Sequence, residues 1–260
     1  MGILNVTPDS FYDGGKYSSE TDIIAQTEKM LNEGAAIIDI GAISTRPGAK
    51  LLSEDEEWLR LEPILKLLIS HFPDAVFSVD TFRSKIADMA IKEGVQIVND
   101  ISAGTFDSQM PETISRQKVP YIMMHMQGTP QTMQLNPQYN DVVSEVKSFF
   151  EKQLLKFKNA GVTENIILDP GFGFGKTMEH NYQLLSNLKT FKDLGYPVLV
   201  GLSRKSMINK VLKTKPEEAL NGTTVLNTIA LMNSADILRV HDVKEARQAI
   251  ELVQFFRSVQ

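Results

Sequence analysis

Short apolar runs alternate along the chain with longer amphipathic stretches, and this alternation sets the first expectation about the fold. Eight runs rich in Ile, Val and Leu are predicted as buried strands: Ile3–Val6, Ala36–Ile40, Val76–Val79, Gln96–Val98, Val119–Met124, Ile166–Leu168, Pro197–Val200 and Ile237–Val240. Seven stretches with apolar residues at helical spacing are predicted as helices: Ile23–Leu31, Trp58–Leu68, Ile86–Ile91, Val142–Phe157, Tyr182–Leu188, Leu220–Leu231 and Ala246–Phe256. Strands that alternate with helices indicate parallel pairing through crossover helices. Eight such units over residues 1–260 predict an α/β fold, a single-domain (β/α)8 TIM barrel rather than an open doubly wound sheet.

Polar residues stand at or just after the ends of these strands. They are Asn5, Asp39, Asp80, Asn99, His125, Asp169, Ser203, Arg239 and His241. In a barrel, the carboxyl ends of the strands form one rim, where active sites are assembled from separate loops. Any one of these residues is equally well explained as a helix cap or a turn residue. The whole set, drawn from all eight units, favours an enzyme.

Composition and charge argue against several other classes of function. The chain has 260 residues, 42% of them apolar and 23% charged, with a net charge of −5 and no cysteine. A negative balance disfavours a general surface for nucleic acid or anionic membranes, and the lack of cysteine excludes disulfides and thiolate metal sites. No apolar run is as long as a membrane span, and the opening MGILNVTPDS does not have the pattern of a signal peptide. We therefore expect a cytoplasmic protein.

The glycine-rich stretch DPGFGFGKT, residues 169–177, nearly matches two nucleotide-binding motifs and fails both. A P-loop requires a glycine at position 170, where the chain has Pro170, which lacks the N–H group that would face a phosphate. A dinucleotide fingerprint requires G-x-G-x-x-G, whereas Gly171, Gly173 and Gly175 alternate. The stretch is therefore not a phosphate loop, and ATP is not an expected ligand.

The segments that follow the strands resemble those of a known enzyme family. They are, in chain order, NVTPDSF, STRPGA, SVDT, VNDIS, MHMQGTP, DPGFGFGK, GLSRKS and LRVHDV, between Asn5 and Val243. They are similar to the segments of the dihydropteroate synthases, folate-pathway enzymes of the pterin-binding barrel family. The resemblance implies the condensation of 6-hydroxymethyl-7,8-dihydropterin pyrophosphate with p-aminobenzoate, which gives 7,8-dihydropteroate and pyrophosphate. It also implies a target of sulfonamides.

The resemblance assigns expected roles to residues of this chain. Pterin binding is implied for Asp80, Asn99, Met123, Asp169, Lys205 and Arg239. A pyrophosphate pocket is implied for Asn5, Thr45, Arg239 and His241, with Asn5 also serving Mg²⁺, the implied cofactor. A p-aminobenzoate pocket is implied for Phe11, Thr45, Arg46, Pro47, Gly173, Phe174 and Ser203. The implied catalytic set is Asp13, Arg46, Lys205, Arg239 and His241.

The residue types suit these roles. A pterin presents an edge of N–H donors beside acceptors, which carboxylates and amides match. Mg²⁺ keeps most of its water and takes few protein ligands when phosphate is present, so no carboxylate cage is expected. Cations around the leaving pyrophosphate favour early cleavage of the C–O bond. Ser203 is expected at the start of a helix, where backbone N–H groups would help to receive the aminobenzoate carboxylate.

Two other functions share parts of this pattern. A corrinoid-linked pterin-binding methyltransferase shares the barrel and the pterin-reading residues, but it does not require STRPGA or GLSRKS, and both are present. A non-catalytic pterin-binding paralogue would keep the barrel and lose the catalytic side chains, which are intact here. The chain departs from the family pattern at Ile43, where a loop glutamate is usual, and it begins almost on its first strand, whereas relatives carry a short lead-in hairpin. Relatives are generally homodimers, so the expected partners are small-molecule substrates and a second copy, with neither nucleic acid nor membrane.

Overall fold

The computed structural model of the chain describes residues 1–6, 20–42 and 52–259. Its strands are β1 (Gly2–Asn5), β2 (Ile38–Gly41), β3 (Phe77–Asp80), β4 (Ile97–Asp100), β5 (Tyr121–Met124), β6 (Ile166–Asp169), β7 (Leu199–Val200) and β8 (Ile237–Leu238). β1 to β6 pair in parallel in chain order, and β7 pairs in parallel with β8. Parallel bridges from Leu168 to Val198 and from Gly2 to Val240 join the two sheets on both sides. The strands therefore close into a barrel, which confirms the predicted fold class.

Helices follow the strands and form an outer layer. Within the described residues they are α1 (Glu20–Asn32), α2 (Glu54–His71), α3 (Ser84–Glu93), α4 (Met110–Gln117), α5 (Val142–Asn159), α6 (Met178–Ser186), α7 (Leu188–Lys192), α8 (Ser206–Leu212), α9 (Leu220–Met232) and α10 (Val243–Ser258). None of the helices in these ranges is long and apolar enough to cross a membrane. That the whole chain forms one domain stays a prediction.

The helices confirm all seven amphipathic stretches, although Tyr182–Leu188 spans the junction of α6 and α7 at Asn187. The sequence pattern predicts neither α4 nor α8. α4 has eight residues, MPETISRQ, in which Met110 and Ile114 are the large apolar side chains. α8 has seven residues, so both helices span only about two turns and offer few positions at which a helical apolar spacing can repeat.

Side chains that alternate along the strands fill the interior of the barrel. A buried cluster there joins Ile97, Ile122 and Leu199 with Met1, Ile37, Ile167 and Ile237. Each of these residues belongs to a different strand or stands directly beside it. A larger apolar core lies between the strands and the helices. Because successive strand side chains point to opposite faces, the residue two positions after each interior isoleucine also faces the interior.

Candidate active site

That alternation brings four of the strand-end polar residues to one end of the barrel interior. Ile37 is followed at this spacing by Asp39, and Ile97, Ile167 and Ile237 are followed by Asn99, Asp169 and Arg239. Asp39, Asn99 and Asp169 are buried, with exposed fractions of 0%, 4% and 6%. The apolar cluster therefore forms a floor, and a layer of charged and amide groups lies on it.

Arg239 is the centre of this polar layer. Its Nε donates to Asp39 Oδ2 at 2.7 Å, and its Nη2 donates to Asp80 Oδ2 at 3.0 Å. Asn99 Nδ2 donates to the same Asp39 oxygen at 2.9 Å. We call these four residues, Asp39, Asp80, Asn99 and Arg239, the arginine cluster. Asp39 thus holds both the guanidinium and the amide, and its second oxygen has no hydrogen-bond partner among the described residues.

Burial and charge act against each other in this cluster. Burial raises the pKa of Asp80, although Arg239 opposes the shift. Burial alone would lower the pKa of Arg239, but Asp39 and Asp80 raise it above its ordinary value. Arg239 therefore stays charged, and its position is set by two carboxylates.

The backbone conformation of the loop after β6 explains why glycines alternate in its sequence. Gly171, Gly173 and Gly175 have φ angles of +71°, +81° and +65°, the left-handed region that side chains disfavour. A Cβ atom at Gly171 would lie 1.9 Å from the carbonyl oxygen of His125, and one at Gly175 would lie 2.4 Å from that of Gln127. Residues 171–176, which we call the glycine loop, therefore need glycine both for backbone conformation and for close approach to the loop after β5.

Lys205 links the glycine loop to the polar layer. Its Nζ donates to the carbonyl oxygen of Phe172 and lies 4.8 Å from the centre of the Phe174 ring. Burial lowers the pKa of Lys205 to about 8, with Asp169 opposing the shift. Burial raises the pKa of Asp169, with Lys205 opposing, and Asp169 Oδ1 accepts from the backbone N–H of Gly171 at 2.8 Å. Lys205, Asp169 and Phe174 thus lie together, as the sequence predicts.

A small cavity opens beside this group. Its lining includes Gly173, Lys205 and Ser206. Ser206 is the first residue of α8, so Ser203 lies three residues before the helix and not at its start as expected. The Ser203 hydroxyl accepts from the backbone N–H of His241 at 3.2 Å and lies 3.0 Å from its Nδ1. The structure therefore places Ser203 beside the predicted pyrophosphate residue, and it places Ser206 beside Gly173.

The side chain of Met123 lies outside the site. It is fully buried and belongs to the core between strands and helices, whereas its neighbour Ile122 belongs to the interior cluster. Alternation turns Met124 to the interior, and a Cβ atom at Gly171 would lie 3.3 Å from its Cγ. Met124 is therefore the methionine next to the glycine loop, and the expected role of Met123 is displaced by one residue.

Asn5 ends β1 on the same rim. A Cβ atom at Gly41 would lie 3.7 Å from Asn5 Oδ1 and 3.6 Å from Asp80 Oδ2, so the two side chains approach each other across this glycine. Within the described ranges no group of three His, Asp or Glu side chains could hold a metal ion. An amide oxygen is a hard ligand that suits Mg²⁺, but one such ligand requires phosphate oxygens and water to complete the shell. The residues present fit Mg²⁺ only together with a bound pyrophosphate.

Five expected site residues lie outside the described residues. They are Phe11, Asp13, Thr45, Arg46 and Pro47. The family departure at Ile43 also falls there. The site described above is formed by β1 to β8 and the loops after β5, β6, β7 and β8.

Comparison with known proteins decides the family. The family described as pterin binding enzyme matches residues 1–241. A dihydropteroate synthase of Escherichia coli K12 is 44% identical over 255 residues, which cover 98% of this chain and 90% of that protein. The chain belongs to the dihydropteroate synthase family.

Two solved dihydropteroate synthases share its fold. The Yersinia pestis enzyme, solved with a sulfonamide drug complex, has a TM-score of 0.95 and 41% identity, covering 99% of this chain and 94% of that one. The Thermus thermophilus enzyme in complex with 4-aminobenzoate has a TM-score of 0.85 and 38% identity, covering 98% of this chain and 92% of that one. The family and the transferase class expected from the sequence are confirmed.

Three residues in or beside this site were not among the expected site residues of the dihydropteroate synthase chain. Asp39 holds Arg239, Met124 lies next to the glycine loop where Met123 was expected, and Lys176 is buried at the end of that loop. Asp39 carries a signal in the sequence, because it stands at a strand end and two positions after an apolar residue. Its pairing with Arg239 carries no such signal, since Arg239 lies 200 positions away in the chain and meets Asp39 only when the barrel closes.

Proposed function

We propose that the chain condenses 6-hydroxymethyl-7,8-dihydropterin pyrophosphate with p-aminobenzoate, releasing 7,8-dihydropteroate and pyrophosphate. The observation that carries the proposal is the match to dihydropteroate synthases at 44% identity over 98% of the chain. The geometry supports it, because one end of the barrel presents carboxylates and an amide beside two basic side chains. Such a surface complements a ring that has donors and acceptors and carries an anionic leaving group.

The pterin fits the part of the site formed by Asp80, Asn99 and Asp169. Carboxylate oxygens accept the N–H groups of an aminopyrimidine edge, and a buried carboxylate discriminates against rings that lack those groups. Lys205, between Asp169 and the Phe172 carbonyl, is placed to donate to a ring acceptor. Arg239 closes the other side of the ring.

The pyrophosphate fits beside Asn5, Arg239 and His241. Arg239 Nη1 makes no hydrogen bond within the described part of the chain, so this group remains available to an anion while Nε and Nη2 hold the carboxylates. Ser203 orients the His241 ring toward the same rim. Mg²⁺ bound there with pyrophosphate would withdraw negative charge from the leaving group, and Asn5 is the side chain we assign to it.

The amine substrate fits beside the glycine loop. Phe174 offers an aromatic face, Gly173 allows close approach, and Ser206 supplies a hydroxyl for the carboxylate. The Thermus thermophilus relative was solved with 4-aminobenzoate, and the Yersinia pestis relative with a sulfonamide drug complex. We therefore propose p-aminobenzoate as the second substrate and expect a sulfonamide to compete with it. Phe11, Asp13, Thr45, Arg46 and Pro47, which lie outside the described residues, remain proposed residues of the same pocket.

The decisive experiment mixes the purified protein with the pterin pyrophosphate, p-aminobenzoate and Mg²⁺. We expect equal amounts of pyrophosphate and 7,8-dihydropteroate, measured by an enzyme-coupled phosphate assay and by chromatography. Omission of Mg²⁺ should abolish turnover, and ATP should be neither bound nor hydrolysed. Absence of dihydropteroate from the complete mixture would refute the proposed function.

A second copy of the chain is the proposed protein partner. The outer faces of α9 and α10 expose large apolar side chains, among them Val225 and Ile229 on α9 and Leu252 and Phe255 on α10. Leu252 and Phe255 are 72% and 71% exposed, so an apolar surface across two adjacent helices lacks a cover. Light scattering should give a dimer mass, and Phe255→Asp should give a monomer. A monomeric wild-type protein at micromolar concentration would exclude this partner. A cytoplasmic location remains our expectation.

A further inference from the structure

The carbonyl groups of the glycine loop are satisfied in an unusual way. Residues in alternating left-handed conformation cannot pair their carbonyls in a regular helix or sheet. The Phe174 N–H donates to the Gly171 oxygen at 3.1 Å in a turn, and side chains provide the other donors to these oxygens within the described residues. Side chains supply one for each of five consecutive carbonyls: Lys176 Nζ for Gly171 at 2.9 Å and Phe174 at 3.0 Å, Lys205 Nζ for Phe172, Gln134 Nε2 for Gly173 at 2.8 Å, and Tyr139 Oη for Gly175 at 2.9 Å. The loop is therefore shaped by donors around it.

Lys176 is the donor used twice. It is 4% exposed, and its Nζ also lies 2.9 Å from His125 Nδ1. The backbone oxygen of His125 is a more distant fourth neighbour at 3.4 Å. An ammonium group has three N–H donors, which match the three nearer neighbours. If the amine is neutral, its two N–H groups still reach both carbonyls and the His125 Nδ1–H donates to it. In either protonation state, Lys176 holds the carbonyls of Gly171 and Phe174.

These two carbonyls flank that of Phe172, which accepts from Lys205. The peptide unit before it carries the Gly171 carbonyl, which Lys176 holds, and the unit after it carries the Gly173 carbonyl, which Gln134 holds. Lys176 also holds the Phe174 carbonyl, one unit further on, so it restrains the loop on both sides of Phe172. The same loop carries Phe174, over whose ring Lys205 Nζ lies. A displacement of the loop would therefore move both groups that locate the Lys205 amine.

We propose that Lys176 is a positioning residue for the reaction and acts on Lys205 through the carbonyl of Phe172. This proposal rests on the proposed function, because Lys205 is the residue assigned there to the pterin. Lys176 also lines the small cavity beside Gly173 and Ser206, but its Nζ donates to the carbonyls of the glycine loop, so no substrate contact is assigned to it. Its contribution is the placement of the Lys205 amine, and a misplacement of about 1 Å is enough to lower turnover about 100-fold.

The test is a double-mutant cycle between Lys176→Met and Lys205→Met, measured as kcat/KM for the pterin substrate. Methionine keeps the length and apolar stem of Lys176 and removes its donors. We expect Lys176→Met alone to lower kcat/KM by about 100-fold. In the Lys205→Met background it should cost less than about threefold, because residues that act through one another are not additive. Equal losses in both backgrounds would overturn the proposal and assign Lys176 a general structural role.

Two controls separate this outcome from simpler ones. Tyr139→Phe removes only the donor to Gly175, at the far end of the same loop, and Lys158→Met alters an exposed lysine on α5. Both should stay within about threefold of wild type, since neither bears on the Phe172 carbonyl. Thermal unfolding of each variant is measured at the assay pH.

Lys176→Arg and Lys176→Gln extend the cycle if Lys176→Met does not fold. Failure of all three variants to fold would assign Lys176 to the stability of the barrel and would overturn the proposal. Failure of the proposed function is distinguishable, because it would appear as an inactive wild-type protein. In that case the cycle is read from the affinity for a pterin without pyrophosphate, and additive losses would again refute the link.

Discussion

Arg239 and Lys176 are two basic side chains at the same end of the barrel, and they are held by opposite kinds of partner. Arg239 lies between two carboxylates, at 2.7 Å from Asp39 and 3.0 Å from Asp80. Lys176 lies between two backbone carbonyls and an imidazole nitrogen. The carboxylates raise the pKa of Arg239 against the effect of burial, whereas burial lowers the pKa of Lys176 well below its ordinary value against the pull of Asp169.

This difference in partners indicates different roles: Arg239 is able to act on a substrate, whereas Lys176 holds the backbone of the glycine loop in position. The Arg239 side chain is 21% exposed and keeps Nη1 uncommitted within the described residues, so it can interact with a substrate anion while its carboxylates stay in place. Lys176 is 4% exposed, and its donors are taken up by the loop. We infer that the arginine cluster stabilises charge during the reaction and that the glycine loop sets the positions of Lys205 and Phe174.

The largest effect is expected from Arg239→Ala. It removes the cation from two buried carboxylates and from the leaving pyrophosphate. We expect kcat to fall by at least about 100-fold and the free energy of unfolding to fall by about 3 kcal/mol. Steady-state kinetics and urea denaturation measure the two quantities. Arg247→Ala, which removes an exposed arginine paired with Glu251 on α10, is the matched control.

The two measurements also decide the role of Arg239. A lower stability with an unchanged kcat would make it a structural partner of Asp39 and Asp80 alone. A kcat reduced as far by Arg247→Ala would show that the effect does not depend on position, and the comparison with Lys176 would lose its basis.

A smaller effect is expected from Asp39→Asn. The amide oxygen still accepts from Arg239 and Asn99, but the negative charge that fixes the guanidinium is lost. Replacing an ion pair by a hydrogen bond with only one charged partner should weaken pterin binding by roughly 10- to 30-fold. Equilibrium binding of a pterin without pyrophosphate measures this. Unchanged affinity would mean that Asp80 alone positions Arg239.

The sequence predicts the barrel and its rim well, because both depend on patterns local to each strand. Apolar runs mark the eight strands, and the polar residue at each strand end marks the rim. The assignment of Met123 is wrong by one residue because adjacent methionines, Met123 and Met124, leave no local signal of which one faces inward. Only the register with β6, where Met124 pairs with Asp169, settles it.

The pairing of side chains across the barrel is the part that sequence does not predict. Arg239 meets Asp39 and Asp80 from strands on either side of the closure between β8 and β1. Ser203 is misplaced for a related reason, since GLSRKS contains two serines and the start of α8 decides which one lies beside Gly173. The role of Lys176 requires the path of the glycine loop, which the alternating glycines permit but do not specify.

The pH dependence of kcat/KM tests whether the Lys205 cation, which the glycine loop positions, is required for the reaction. Burial lowers the pKa of Lys205 to about 8, so the cation is present below that pH and is lost as pH rises through it. We expect kcat/KM for the pterin substrate to fall above pH 8 by about tenfold per unit, as expected for one essential protonated group. Arginine stays charged, so Lys205→Arg should move this decline above pH 10 at a lower overall rate. A decline near pH 8 that persists in Lys205→Arg would assign the titration to another group.

The smallest effect is expected where the glycine loop meets the second substrate. Phe174 is half-buried beside Lys205 and Gly173, and its contribution to the amine is apolar contact with a cation beneath the ring. Phe174→Ala should raise KM for p-aminobenzoate by about fivefold, which corresponds to the loss of a partly buried aromatic contact. The pterin dissociation constant should change by less than about threefold, whereas Asp169→Asn should raise it by roughly 30- to 1,000-fold, since the lost charge-assisted pair costs about 2 to 4 kcal/mol.

Equilibrium pterin binding and amine kinetics on both variants decide how the loop is divided. Phe106→Ala, at an exposed aromatic after β4, controls for the general effect of removing a ring. If Phe174→Ala weakens pterin binding as much as Asp169→Asn does, the aromatic residue belongs to the pterin pocket. The glycine loop would then contact the pterin, as the arginine cluster does. The division of roles between the arginine cluster, which stabilises charge, and the glycine loop, which positions side chains, would not hold at Phe174.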